Sequence, residues 1–587
     1  MTGIAEAVEL FNHGHVHEVE QICKTINSED GSYAQAQHLL GLLAYRYGKL
    51  AEAEQYLIRA IALRPREAQF SNHLGSVLCG QGRLDEGIVA YRRALKLNPR
   101  LADAHYNLGN ALKRKGKLVS ALKCYEKALK LEPNMIEAQQ NLANALRDQG
   151  YAEKAEKLLA KAWQQHPKHV GVGSNYVFNL NYHVSDGERL LKEHMRFAGI
   201  HGAQPLPACN DFSNEPDPDR RLRIGYVSAD FRRHSVAYFL EPLLRHHHRD
   251  CVEIFCYASV PNADEVTERL EALSDVWRNI RHIPDSAVAE QICRDGVDVL
   301  VDLAGHTSNH RLLVFAGKPA PLQITYLGYP NTTGMPCIDY RLTDVWADPP
   351  GNERWHSERL LRLPHGFLCF VAPHAAPAIA PPPLVSKDYV TFGCFNEMAK
   401  IQPDLIELWA NTLKAVPASR LLLKNASLAD QGVQAQVLRA FRRHGIAANR
   451  LIFHGRMSSQ HDHLALYHEV DIALDTFPYN GTTTTCESLY MGVPVLSLYG
   501  GLHAGRVGLS LLSQIGLSDL AAATPEQYVA AAKTLANDQP RMESLRYQLR
   551  GLVQEKLCDA ERFVSSLEGT YRDIWRTWCS DVSAGKN

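Results

Sequence analysis

Leu222-Arg-Ile-Gly-Tyr-Val-Ser-Ala-Asp-Phe-Arg-Arg-His234 reads as an apolar strand that runs into a loop lacking glycine. Residues 252–259, 297–303 and 323–327 repeat the apolar strand pattern, with helical stretches between them. Such alternation predicts a parallel, doubly wound sheet. A Pro/Ala-rich stretch at 372–383 interrupts it, and a second alternation follows. Its strands are expected at 389–395, 421–424, 451–454, 472–476 and 493–498. Helices are expected at 403–416, 428–444, 483–491 and 505–515, and a helical tail at 525–578. Neither lobe carries G-x-G-x-x-G after its first strand, which removes the usual dinucleotide cradle and favours a sugar-nucleotide enzyme over an NAD enzyme. Two such sheets leave a cleft at their carboxyl edges, where ligands bind in this architecture.

Upstream the pattern is different. Pro65, Pro99, Pro133 and Pro167 lie 34 residues apart, and so do Ala60, Ala94, Ala128 and Ala162. A glycine series (Gly14, Gly48, Gly82, Gly116, Gly150) and a Leu-Gly series (Gly41, Gly75, Gly109, then Ala143) share the period. The Gly48 class falls where a first helix must end and turn, and the proline stops the second. Small residues of the Gly41 and Ala60 classes let two helices approach closely. This resembles the tetratricopeptide repeat, with four good copies over about residues 34–167. Such repeats stack into an α-helical superhelix whose groove holds a peptide or partner, or they serve as a spacer or dimerisation module. Asn107, Asn110, Asn141 and Asn144 project from first helices, where paired amides suit peptide backbone. The equivalent earlier positions are Leu39 and Leu42, then His73 and Ser76, so the ladder is short.

The organisation expected is repeats over 1–170, a helical linker over 171–220, an N-terminal lobe over 221–371, a linker over 372–387 and a C-terminal lobe over 388–587. The formal net charge is −1 with no long basic block, which speaks against electrostatic binding to nucleic acid or an anionic membrane. No apolar run approaches a membrane span, and residues 1–9 do not read as a secretory signal. Thirteen cysteines without a C-x-x-C pair read as free or buried thiols of a reducing compartment, so a cytoplasmic address is expected.

Two loops carry the chemistry. In Thr391-Phe-Gly-Cys-Phe-Asn-Glu-Met-Ala-Lys400 a strand ends, and Asn396 and Lys400 precede a helix opened by Pro403. A lysine beside a helix start is an anion site. In Asp475-Thr-Phe-Pro-Tyr-Asn-Gly-Thr-Thr-Thr-Thr-Cys-Glu487 a helix starts in a run of hydroxyls. Glu487 lies four residues beyond Thr483, where a carboxylate can take a ribose diol. One lysine and two helix N-termini, each worth about half a charge, neutralise much of a departing nucleoside diphosphate. The lobes carry no convincing D-x-D pair, since Asp217-Pro-Asp219 falls in the linker, so no metal or other cofactor is expected.

Taken with the repeats, Arg223 to His234, Tyr326-Leu-Gly-Tyr-Pro330, Phe395 to Lys400 and Asn480-Gly-Thr-Thr-Thr484 resemble the O-linked N-acetylglucosamine transferase family. The resemblance spans essentially the whole chain. It implies a GT-B fold of two Rossmann-like lobes and inverting transfer from UDP-N-acetylglucosamine to Ser or Thr of protein or peptide acceptors along the repeat groove. By resemblance, Asn396, Glu397, Lys400, Met457, His463, Thr482, Thr483, Thr484 and Glu487 bind the nucleotide. Lys400 holds the phosphates, His463 stands near the base, and Glu397 replaces a glutamine of animal members. His306, Thr307, Gly328, Tyr329 and Pro330 match a sugar and acceptor pocket. His234 matches a histidine proposed as general base, a role its ordinary pKa suits. It reads equally as a substrate-orienting or structural residue. Asp295 through water, or the donor phosphate, are the other candidates for the base. His246-His247-His248 reads as a solvated patch, and His461 beside His463 lacks the cluster a metal needs. The alternatives are the same fold using GDP-fucose or UDP-glucose, modification of asparagine, and a repeat scaffold with vestigial lobes.

Overall fold

The computed structural model describes residues 2–202 and 212–585, so positions 203–211 of the expected linker lie outside the described residues. The chain forms two compact units, Met1–Leu146 with Ala429–Gln434, and Arg147–Leu428 with Ala435–Asn587.

The first unit is built of antiparallel helix pairs. Tyr33–Arg46 is followed by Leu50–Leu63, Ala68–Gly80 by Leu84–Leu97, and Ala102–Arg114 by Leu118–Leu131. Each glycine series has a distinct physical role. Gly48 and Gly82 sit at the turns with φ of 73° and 84°, left-handed values that a side chain resists. At Gly75 and Gly109 a Cβ would lie 2.6 Å from the rings of Tyr91 and Tyr125, so the second helix's tyrosine fills the space. Ala60, Ala94 and Ala128 are fully buried. The unit ends at Leu146, and the helix Ala152–Gln165, the second half of the fourth repeat, belongs to the second unit. The amide ladder differs from expectation. Asn107 donates to Asn72 Oδ1 at 3.1 Å and Asn141 to Asn110 Oδ1 at 2.9 Å. It therefore reaches one repeat further back, through Asn72 and not through His73 or Ser76, and its members partly satisfy one another.

The second unit holds two wholly parallel sheets. The N-terminal lobe contains β1 (Leu222–Ser228), β2 (Val252–Ala258), β3 (Val276–Asn279), β4 (Val299–Asp302), β5 (Leu322–Thr325), β6 (Tyr340–Thr343) and β7 (Arg359–Arg362). Their order is β3-β2-β1-β4-β5-β6-β7. The C-terminal lobe contains β8 (Val390–Cys394), β9 (Ser419–Lys424), β10 (Leu451–His454), β11 (Ile472–Leu474), β12 (Val495–Leu498) and β13 (Ala521–Ala522). Their order is β10-β9-β8-β11-β12-β13. In each sheet the strand order reverses beside the first strand, between β1 and β4 and between β8 and β11. Crevices that take ligands form at such points in open α/β sheets.

The lobes are tied on several sides. The buried Asp348 carboxylate accepts from His503 Nδ1 at 2.6 Å and His356 Nε2 at 3.2 Å, and Ser510 donates to Asp344 at 2.6 Å. The C-terminal helix Ala560–Ser583 returns to the N-terminal lobe. There Glu568 takes His247 Nδ1 and His248 Nδ1, each at 2.8 Å, while His247 Nε2 meets Tyr226 Oη at 2.9 Å. The triple-histidine stretch is therefore a docking point for the terminal helix, with His247 buried, and not a solvated patch. Among the described residues eleven cysteines are free thiols, whereas Cys293 is disulfide-bonded, against the expectation of free thiols throughout. Among the described residues no helix is long and apolar enough to cross a membrane.

Candidate active site

The chain leaves β8 at Cys394, passes through Phe395 and Asn396, and makes one tight turn, Met398–Lys400, before the helix Pro403–Ala415. That turn drives Lys400 inward. Its Nζ donates to Asn480 O at 2.6 Å and lies 3.8 Å from the centre of the Tyr479 ring. Burial lowers its pKa to about 8, against the pull of Asp475 and Glu397. Asp475 is buried too and raised to about 6, although Gly481 N–H at 2.7 Å and Ser497 Oγ at 2.8 Å both donate to it. A cation whose pKa is depressed by burial in a cleft, beside specific charge partners, is a candidate functional group.

The second loop follows β11 and enters the helix Thr483–Tyr490 with Thr482 at its N-cap. Thr484 Oγ1 donates to Asn396 Oδ1 at 2.9 Å, knitting the two loops together. Gly481 is required at this crossing, because a Cβ there would lie 2.5 Å from Thr484 Oγ1 and 2.9 Å from Asn396 Oδ1. Beyond the phosphate-sized end, His463 Nε2 donates to Glu487 Oε2 at 3.0 Å, and the imidazole packs against Phe395 and Tyr467. Glu397 accepts from Asn425 Nδ2 at 2.8 Å. Met457 lies half-buried in the loop between β10 and the short helix Gln460–Ala465.

From the N-terminal lobe, β1 delivers His234 just before the helix Ala237–His246. Its Nδ1 lies 3.3 Å from the Val236 N–H and 3.6 Å from the buried Asp230 carboxylate. Burial lowers the imidazole pKa, and Asp230 opposes the shift. A ring that accepts from Val236 carries its proton on Nε2. A ring with its proton on Nδ1 aims it at Asp230 and frees Nε2 to take a proton from a hydroxyl. The loop after β4 brings Thr307, whose hydroxyl donates to Ala304 O at 2.8 Å. The loop after β5 brings Leu327 and Gly328. Leu327 holds φ at 63°, a strained value for a side chain, and a Cβ on Gly328 would lie 2.0 Å from Leu303 O.

These loops enclose a cleft of about 320 Å³ whose walls include His234, Thr307, Gly328, Lys400 and Thr482–Thr484. Asn396 and Glu397 line it as well. Each loop follows a strand at or next to a reversal point. Sequence reasoning missed Tyr479 under the lysine and Asp475 behind it. Both lie inside the quoted loop, and their signal was an aromatic and a carboxylate flanking a strand end.

Other expected residues fall elsewhere. His306 is buried, with Nε2 at 2.8 Å from Thr333 O and its ring among Phe197, His194 and Tyr329, so it does not reach the cleft. Tyr329 turns its hydroxyl away toward His194 Nε2 at 2.6 Å and Asn181 Nδ2 at 3.0 Å. Pro330 is buried beside it. The two keep the turn in place, and of that motif Leu327 and Gly328 face the cavity. Asp295 ends the helix Asp285–Asp295 and is held by Arg278 and Tyr257 Oη, each at 2.8 Å. Its carbonyl meets Arg223, at the amino edge of β1, so it stands across the sheet from His234 and cannot act as the base. Among the described residues no cluster of three or more metal-ligating side chains occurs.

The profile of glycosyl transferase family 41 matches residues 204–377 and 384–567, and tetratricopeptide profiles match 34–67, 75–116, 102–135 and 136–171. The chain belongs to glycosyl transferase family 41. Among the relatives of this family 41 protein, a probable UDP-N-acetylglucosamine–peptide N-acetylglucosaminyltransferase, SPINDLY, of Petunia hybrida is 41% identical over 418 residues, 70% of this chain and 45% of that one. The UDP-N-acetylglucosamine–peptide N-acetylglucosaminyltransferase of Caenorhabditis elegans is 24% identical over 501 residues, 65% of this chain and 43% of the relative. The chain thus spans less than half the length of these family members. The solved structure of a lysine-to-methionine mutant of Thermobaculum terrenum O-GlcNAc transferase superposes with a TM-score of 0.81 at 36% identity, covering 88% of this chain and 98% of that one.

Proposed function

We propose that this family 41 chain transfers N-acetylglucosamine from UDP-N-acetylglucosamine to serine or threonine hydroxyls of protein or peptide acceptors, by inversion and without a metal. The observation that carries the reading is the cleft itself, with a buried lysine and a threonine-lined helix start on one wall and His234 on the other. The donor's diphosphate lies against Lys400 and the N–H and hydroxyl groups of Thr482–Thr484. These donors stabilise the charge that develops as the sugar C1–O bond breaks. The acceptor oxygen attacks C1 from the opposite face, and its proton passes to Nε2 of His234. The electrons of the broken bond remain on the β-phosphate, so UDP departs as a trianion.

One observation keeps a second donor in view. The nucleoside end presents two carboxylates, Glu397 and Glu487. The guanine edge offers a carboxylate two adjacent donors, whereas uracil offers one. Calorimetric titration with UDP, GDP, UDP-N-acetylglucosamine and GDP-fucose in the presence of chelator tests both readings. Micromolar UDP binding supports the first. Preference for GDP moves the donor to GDP-fucose on the same fold, and binding of neither leaves a scaffold.

A further inference from the structure

His234 borders two cavities. The second, of about 600 Å³, lies between the helices Ala237–His246 and Glu265–Ala272, the strap 371–375 and the turn at Ser458–Gln460. None of the donor-holding residues, Lys400, Thr482–Thr484 or Gly328, lines it. A hydroxyl presented to His234 belongs to a polypeptide, and that polypeptide continues beyond the reacting residue. On that reading the donor takes the first cavity, and the second, with the same histidine on its rim, gives the chain a path.

Its donors are specific. Glu241, with only 7% of its side chain exposed, accepts from Arg245 at 2.9 Å and from Arg269 at 3.0 Å. Those two arginines are about half exposed, at 52% and 49%. Two guanidiniums share one carboxylate, so each keeps N–H donors that Glu241 does not take. Arg233 is paired with Glu265, and Asp264 stands close to both Arg233 and Arg269, so the wall offers free guanidinium donors and not a net charge. The geometry points to this basin as the groove for the acceptor chain beyond the reactive hydroxyl, with Arg245 and Arg269 selecting acceptors that carry Asp or Glu near that hydroxyl. This rests on the proposed reading that the acceptor is a polypeptide.

The test uses the full chain saturated with UDP and fluorescent serine peptides that carry one Asp at successive positions on either side of the serine. Each is compared with its Ala counterpart by anisotropy. A partly exposed charge pair predicts about three- to fivefold tighter binding for at least one acidic peptide. Arg245→Gln and Arg269→Gln each leave Glu241 one arginine and bring that ratio toward one. In the unsubstituted protein the ratio falls with added salt, a readout that survives if either variant misfolds. Equal affinity for every peptide, selectivity retained in both variants, or a ratio indifferent to salt overturns the proposal. Selective binding without sugar transfer to any peptide overturns the proposed function and leaves the groove standing.

Discussion

Lys400 can be tested by a linkage that no other group in the cleft would reproduce. Its ammonium has a pKa of about 8 in the empty protein, down from an ordinary 10.5, because burial removes water from the charge. A bound diphosphate replaces that water with negative charge and raises the pKa again, so above pH 8 UDP binding takes up a proton. The fraction of Lys400 already protonated falls from about nine-tenths at pH 7 to about one-tenth at pH 9. UDP affinity should drop about tenfold over that interval, approaching one proton per nucleotide. Stability of the empty protein changes in the opposite sense. The unfolded chain keeps its lysine proton up to 10.5 while the folded chain has released it, so this group makes stability rise between pH 8 and 10.5. Lys400→Met keeps the apolar stem over Tyr479 and removes the charge. It should cost about 1.5–3 kcal/mol of UDP binding at pH 7, the scale of a hydrogen bond to a charged group, or about 10- to 150-fold. The variant should also abolish the pH dependence. Calorimetry in two buffers of different ionisation enthalpy counts the protons directly. A flat profile for the wild type, or the same slope in Lys400→Met, would refute the assignment.

Three further outcomes follow from the site. His234→Ala should leave UDP affinity within about twofold while transfer to peptide falls about 10²- to 10⁴-fold; parallel losses in titration and rate would make His234 a binding residue. Asp295→Asn should lower stability by about 1–3 kcal/mol through its bonds to Arg278 and Tyr257. The denaturant midpoint reads that loss, and a collapse in kcat with stability intact would return Asp295 to the mechanism. Gly481→Ala forces apart the Thr484 and Asn396 side chains, so UDP binding should weaken about tenfold or more at a nearly unchanged melting temperature. Wild-type affinity in that variant would show that the two loops need not be knitted.

Legibility in the sequence tracked how local each signal was. The 34-residue glycine and alanine series announced the repeats because each position meets the same neighbour in every copy, as Gly75 meets Tyr91 and Gly109 meets Tyr125. Strands β1, β2, β8 and β12 were readable as apolar runs. The strands β3 (Val-Trp-Arg-Asn), β6 (Tyr-Arg-Leu-Thr) and β7 (Arg-Leu-Leu-Arg) were not, being four residues long with arginine in each. The arginine in β6 is buried because backbone carbonyls take it, Asn331 O at 2.6 Å and Tyr329 O at 2.9 Å, and no local pattern encodes those partners.

The same distinction sorts the site residues. Lys400, Thr482–Thr484 and His234 were found because each sits where a strand gives way to a loop, and in a doubly wound sheet that position is itself the cleft. His306 and Tyr329 occupy equally good positions and nevertheless face inward. Their direction depends on Phe197 and His194, on one helix, and on Asn181, just past the end of another, all more than a hundred residues upstream. Asp295 failed for a different reason. A carboxylate at the end of a helix that precedes a strand belongs to the amino edge of the sheet, the face opposite the chemistry, and the order of helix and strand in the sequence already states this. Position along a strand–helix unit therefore decides which residues can reach the cleft, and long-range packing decides which of those actually do. The groove beside His234 lies wholly on the second side of that division. Arg245 and Arg269 come from two helices whose sequences show only solvated charge, and their sharing of Glu241 is what leaves each with N–H donors for an acceptor.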